Sequence, residues 1–314
     1  SYFEISENYI QDNMEKMISI LESPFTSIRL FGIEAIYSFI EKTNIKVILE
    51  GDGGDELFGG YDYNFFPYLQ GKYKSKNKID TRLVEDLFKF ARLKKKSTKE
   101  QYQLFLNLII SKSYQYGSTS DGTPFINIDL FDKDFLNSNI DENFFNDEFL
   151  KETRHVSDLK KSQYRDIYYI KLPRALKYKD RISMNYGIEA RIPFLDHHFA
   201  LNSFNLEDRY KIKDFETRYI FKKILKKITK NKIKFNKTKI SIADPQSQWL
   251  ANGLKNYTLD NLNSSHFRKI DIFNHNKIKV EFEKFCKTKK NKSSFQIFQI
   301  LTYINFYKYF KKYN

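Results

Sequence analysis

The chain has 314 residues and only 11 glycines, yet five of these lie within ten positions: Gly51, Gly53, Gly54, Gly59 and Gly60. They sit in the run Glu50-Gly51-Asp52-Gly53-Gly54-Asp55-Glu56-Leu57-Phe58-Gly59-Gly60-Tyr61. Glycine permits positive φ and lets a ligand approach the backbone closely. Between a strand and a helix, such a turn aims N–H groups at an anion. Asp52, Asp55 and Glu56 in the same turn would repel a bare phosphate. They make sense if a hard cation such as Mg²⁺ lies between, because Mg²⁺ takes one or two carboxylates together with phosphate oxygens. An acidic tight turn without a ligand is the plainer alternative. The spacing excludes a calcium-type loop, a dinucleotide fingerprint and a Walker A, which needs a Lys-Ser/Thr ending.

A second group of chemistry-bearing residues runs from Leu172-Pro173-Arg174-Ala175-Leu176-Lys177-Tyr178-Lys179-Asp180-Arg181-Ile182-Ser183-Met184 to Ile188-Glu189-Ala190-Arg191-Ile192-Pro193-Phe194-Leu195-Asp196. Its periodicity reads as a helix followed by a turn, where two arginines and three acids meet among apolar residues. Charges in so apolar a segment must be paired if buried. A structural ion-pair knot of Asp180, Arg191 and Asp196 is one reading, and a functional carboxylate is the other. The third group is Lys239-Ile240-Ser241-Ile242-Ala243-Asp244-Pro245-Gln246, continuing to Trp249-Leu250. Alone, a lysine in a lysine-rich chain reads as solvated surface.

The elements that must position these groups follow from periodicity. Residues 6–22 and 27–43 are expected to be helical. In the second, Ile28, Phe31, Ala35, Ile36, Phe39 and Ile40 form the apolar face, after Pro24 and a Thr26/Ser27 cap. Residues 45–49 read as a short buried strand, and 57–73 as partly helical. Helix, strand, loop and helix make a piece of a doubly wound α/β unit. From 75 to 165, helices broken by polar loops are expected, with Tyr102, Phe105, Phe131, Phe135, Phe144 and Phe149 as anchors and a looser stretch at 112–126. Helices are expected again at 158–180, 214–230 and 294–311. The fold class is therefore α/β: a partial doubly wound parallel sheet in residues 1–73, leading into a mostly helical body at 74–314.

Composition narrows the function classes. With 41% apolar and 17% aromatic residues the chain can bury a core. A mean hydropathy of −0.60 and no long charge-free apolar run argue against a membrane span. One cysteine, Cys286, excludes a disulfide framework and a cysteine-cluster zinc site. No basic-then-apolar leader opens the sequence, so a cytoplasmic location is expected. The net charge of +15 invites a polyanion-binding reading. However, the lysines are scattered, and no DNA or RNA recognition motif is present. The cluster Lys222, Lys223, Lys226, Lys227 and Lys230 reads as the wet face of a helix whose other face is Phe221, Ile224, Leu225 and Ile228.

The segment Val47-Ile48-Leu49 with the glycine turn resembles the second nucleotide-site motif of the asparagine synthetase family, the glutamine-hydrolysing, ATP-using amidotransferases. The second group resembles the same family's Asp-Arg-x-Ser-Met and Glu-Ala-Arg-x-Pro-Phe-Leu-Asp signature. The third resembles its Lys-x-Gly-Phe-x-x-Pro segment followed by Trp-Leu, and the chain's one tryptophan falls at the matched place. In order, these span residues 47 to 250.

The resemblance implies an adenine-nucleotide alpha-hydrolase type of fold. It also implies activation of a carboxylate by ATP and Mg²⁺ as an acyl adenylate, with aspartate the expected acceptor. Ammonia from a glutaminase domain would then attack the acyl carbon. On this reading Asp55 holds the metal, Glu50, Gly51, Gly53, Gly54 and Arg181 contact the nucleotide, and Asp52, Glu189 and Lys239 carry the chemistry. Lys237 replaces Lys239 if the register slips. A homodimer is also compatible.

The departures are Glu50 where the family carries Ser, Asp52 where it carries Glu or Tyr, Ser241 for Gly and Ile242 for Phe. No Ser-Gly-Gly-x-Asp-Ser pyrophosphate loop precedes Gly51 and no glutaminase cysteine is present, so the sequence is expected to be a fragment that does not adenylate alone. An inactive or partner-binding remnant, and an enzyme amidating a surface-sugar carboxylate, are the competing expectations.

Overall fold

The computed structural model describes residues 4–73, 81–93, 97–98, 126–139, 149, 151–233 and 245–312. Helix α1 (Glu7–Leu21) starts at Ser6, whose hydroxyl accepts from the Tyr9 N–H, and ends at Glu22 in the left-handed conformation. Helix α2 (Arg29–Glu41) leads to strand β1 (Val47–Leu49). The glycine turn follows, and then the five-residue helix α3 (Gly54–Phe58). After them come α4 (Phe65–Tyr73), α5 (Thr81–Leu93), α6 (Lys133–Asn139) and α7 (Asp158–Arg165). A π-helical turn, Asp166–Ile170, joins α7 to α8 (Leu172–Asn185).

Strand β2 (Glu189–Arg191) is followed by α9 (His197–Asn205), α10 (Asp208–Lys211) and the hairpin β3 (Ile212–Lys213) to β4 (Glu216–Thr217). Helices α11 (Tyr219–Ile228), α12 (Gln246–Ala251), α13 (Lys255–Asn263), α14 (Ser265–Arg268), α15 (His275–Thr288) and α16 (Asn291–Phe310) complete the chain.

The described residues are mostly helical, with a small parallel sheet. β1 and β2 pair in parallel with Val47 opposite Glu189, Ile48 opposite Ala190 and Leu49 opposite Arg191. Backbone bonds from the Glu189 N–H to the Lys46 carbonyl and from the Glu50 N–H to the Arg191 carbonyl, both 2.8 Å, close the pair at each end. Among the described residues, no helix is long and apolar enough to cross a membrane.

The main core lies between α1, α2, α8 and the C-terminal helices, with Ile10, Met17, Phe25, Phe31, Ile182, Phe282, Phe298 and Ile304 buried. The Phe25 ring meets Phe31 at 5.8 Å and Phe298 at 5.7 Å between centroids. A smaller core, with Phe65, Leu69, Leu87, Phe90, Leu159 and Ile212, joins α4, α5, α7 and β3.

Four expectations need correction. The strand at 45–49 is not buried: Leu49 is 70% exposed and Val47 41%. Both faces of a parallel sheet are usually covered; here Ile48 packs on the main core, but no described element covers the face that carries Val47 and Leu49. The inner face of α2 is Leu30, Phe31, Glu34 and Tyr37, while Ile36 and Phe39 are exposed. Periodicity could not see that buried Glu34 would be held by Tyr9, Lys16 and Tyr186.

The helix expected over 214–230 begins only at Tyr219, because Asp214 and Phe215 turn a hairpin. On α11 the two faces are partly exchanged. Lys222 is buried against Glu216 at 3.2 Å, whereas Ile224 and Ile228 are exposed. Ion pairing, not hydropathy, decides that position. Tyr102, Phe105 and Phe144, and all of 112–126 but its last residue, lie outside the described residues.

Candidate functional site

The glycine turn leaves the carboxyl end of β1, where ligands bind in open α/β sheets. Gly53 has φ +84°, and a side chain there would strike Leu195, so only glycine serves. A Cβ on Gly51 would meet nothing within 4 Å, which leaves that backbone open to a ligand. The turn is seated on the segment after β2: Phe194 packs 3.5 Å from the Gly54 Cβ position.

Glu50 and Asp52 face one cation. Lys179, on α8, donates to Glu50 Oε2 and, at 2.5 Å, to Asp52 Oδ2. The Tyr37 hydroxyl donates to the other Glu50 oxygen at 2.6 Å. Burial and the Glu56 carboxylate push the Asp52 pKa up, and burial pushes that of Lys179 down. Their contact opposes both shifts, since each charge favours the other.

Asp55 lies on the other side of the turn, with Oδ1 3.3 Å from Arg218 Nη1 and both groups half-buried. Arg218, a non-glycine residue at φ 54°, caps the start of α11. Glu56 accepts from the Tyr61 hydroxyl at 2.5 Å. The three acids of the turn therefore diverge onto separate partners. Among the described residues, no three His, Cys, Asp or Glu side chains gather closely enough to hold a metal ion.

Behind the turn, the Gln163 side chain donates to the Glu56 and Leu57 carbonyls at 2.6 and 2.8 Å and accepts from Lys211 Nζ at 2.8 Å. Lys211 is fully buried, also donates to the Phe204 carbonyl at 2.7 Å, and has its pKa pushed down to about 7 by burial.

The family model described as asparagine synthase matches residues 2–306. The chain belongs to the asparagine synthase family. It is also similar to "Asparagine synthetase [glutamine-hydrolyzing] 1" of Bacillus subtilis (strain 168), at 24% identity over 216 residues. That match covers 69% of this chain and 33% of the relative. The chain thus spans about a third of the length of the curated relative it matches.

Within this family frame, the structure brings together Glu50, Gly51, Asp52, Gly53, Gly54 and Asp55, but it does not bring Glu189 to them. Glu189 stands opposite Val47, at the start of the strand pair, and Asp52 follows the pair's other end. The turn and Glu189 thus lie at opposite ends of the strand pair. Glu189 is exposed and bound to Arg191 at 2.9 Å, which holds its carboxyl below the usual range. Arg181 pairs with Glu22 at 2.5 Å.

The expected meeting of two arginines and three acids does not form. Arg181 and Arg191 have separate partners, and Asp196 is exposed and caps α9 through the Phe199 N–H. Lys239 and Lys237 lie outside the described residues.

Sequence reading missed Lys179 and Arg218. Lys179 lay inside a quoted motif, but only the fold shows that its helix passes the end of β1. Arg218 carried no signal beyond its charge.

Proposed function

We propose that this chain is the synthetase part of an ATP-dependent amidotransferase of asparagine synthetase type. On this reading it activates a carboxylate, aspartate first, for attack by ammonia released from glutamine in a glutaminase domain. Family membership supports this, and one local observation carries it: an open glycine turn at the end of a parallel strand, with acids and cations set side by side around it.

The residues fit a nucleotide with Mg²⁺. Such an ion needs only one or two protein carboxylates when phosphate oxygens complete its shell. Asp55 provides one, and the adjacent Arg218 guanidinium suits a phosphate oxygen in bidentate fashion. Held there by Asp55, Arg218 and the Gly51 backbone, ATP with Mg²⁺ would supply the leaving group for activation of the carboxylate. The exposed Gly51 backbone admits the ligand closely. Lys179 screens Glu50 and Asp52, so the turn can receive an anionic substrate with less repulsion.

Asp52 would accept the proton shed by the attacking amine; burial and the Glu56 carboxylate, which raise its pKa, favour that role against the pull of Lys179. For Lys239 the family resemblance supports stabilising charge on phosphate and oxyanion. Glu189, by the same resemblance, would act as a relay. Its distance from the turn makes Asp52 the carboxylate we favour.

A second reading has its own support. Glu50 stands where the family pattern has Ser, and it is tied to Tyr37 and Lys179. This favours an acceptor other than aspartate, such as a surface-sugar carboxylate.

ATP–pyrophosphate exchange with a panel of carboxylates, measured on a protein extended to the length of the Bacillus relative, tests both readings. Aspartate-dependent exchange supports the first, and exchange with a uronate alone the second. No exchange with any carboxylate would sink the proposal.

A further inference from the structure

The β3–β4 hairpin that delivers Arg218 to Asp55 also walls a cavity of about 520 Å³, a volume suited to a small ligand. Its other walls come from α4, α5, α10 and α11, and no residue of the glycine turn lines it.

Four cations line the cavity against two acids, Asp86 and Asp214. Two of the cations are committed: Lys72 to Asp86 at 3.1 Å and Arg209 to Glu207 at 3.0 Å. The other two, Lys213 and Lys223, have no carboxylate partner among the described residues. Both ammonium groups stand over one ring, that of Tyr219, at 5.3 and 5.7 Å from its centroid. Like charges gathered on one ring repel, and an anion between them turns repulsion into attraction.

The backbone supports this arrangement at a cost. Asp214 and Phe215, the two residues joining β3 to β4, both have positive φ, 47° and 64°. Such a turn is normally made with Asn-Gly. A phenylalanine there is strained, and strain of this kind concentrates at ligand sites. The Phe215 ring is held 5.4 Å from Phe65 and forms part of the cavity wall, while the turn keeps Lys213 at the cavity edge. Tyr68, whose phenol is pushed up by burial, stays neutral and offers a hydroxyl donor.

We propose that this cavity is a second binding site, separate from the glycine turn, for a small ring-bearing anion. Lys213 and Lys223 hold its phosphate or carboxylate group, and the aromatic wall receives its ring. A sugar phosphate and a sugar carboxylate share that chemistry.

Isothermal titration of the 314-residue chain with glucose 6-phosphate and, separately, with glucuronate distinguishes the two sources. One or both should bind. The double change Lys213→Ser with Lys223→Ser should weaken binding at least about tenfold, because two charge-assisted contacts are lost. Lys226→Ser with Lys227→Ser on the same helix should not, and neither should Asp55→Asn. All four lysines are exposed, so the variants should fold, as circular dichroism would verify. Absence of binding by both probes below about 10 mM, or equal weakening by the Lys226/Lys227 pair, would overturn the proposal. The second result would reduce the site to nonspecific attraction.

Discussion

Lys211 and Asp52 are both titratable groups drawn toward neutrality by burial, and they make different demands on pH. Lys211 has a folded pKa of about 7, below its ordinary value. Between that value and roughly 10.4, the normal lysine pKa, the unfolded chain therefore binds more protons than the folded one, and stability rises with pH. That contribution is fully present above the unfolded pKa and is lost as pH falls through about 7. A Lys211→Met variant should lack this rise. Chemical denaturation at pH 7 and 9 checks it, and parallel curves for the two proteins would refute the assignment.

At the turn, Lys179→Met should leave Glu50 and Asp52 facing each other without their cation. An unscreened pair of carboxylates titrates upward. The pH profile of pyrophosphate exchange in the longer protein should then move to higher pH, and an unmoved profile would separate Lys179 from Asp52 chemistry.

The glycine turn works as an element because other elements hold it. Helix α3 is too short to be stable by itself, and Gln163 supplies the donors that its last carbonyls need. Gln163→Ala would take the side-chain donor from two carbonyls and leave Lys211 with the Phe204 carbonyl but without the amide oxygen it also binds. A loss on the order of 3 kcal/mol follows, readable by urea unfolding. Gly60 is equally constrained. A Cβ there would come within 2.9 Å of the Asp55 backbone and overlap its carboxylate. Gly60→Ala should cost about 1–3 kcal/mol and displace Asp55, so the Mg²⁺ dependence of exchange should weaken along with the melting temperature.

Periodicity located α1 and α16 well, because one face of each is buried along its length, whereas the helix expected over 158–180 is split between α7, a π turn and α8, which runs on to Asn185. It failed at 214–218, where positive φ at three non-glycine residues breaks the helix without any glycine or proline to announce it.

For the whole molecule, the main core carries the stability and the parallel strand pair carries little of it. Phe298 is fully buried against Phe25, so Phe298→Ala should cost about 3–5 kcal/mol. Leu49 is 70% exposed, and Leu49→Glu should change the stability of this chain by less than about 0.5 kcal/mol. A much larger loss at Leu49 would mean that the sheet face is covered in solution.

The glycine turn, its order relative to the two later motifs, the family and the helical character of most of the described residues were all readable from the amino acids. These depend on local backbone permission and on patterns repeated within a few residues. Tertiary structure alone decided which charge meets which. Lys179 reaches Asp52 across 127 positions and Arg218 reaches Asp55 across a hairpin, while the strand register keeps Glu189 away from both. Such partners are chosen by how distant helices and strands pack, and ion pairs act over ångströms of space, whatever their separation along the chain.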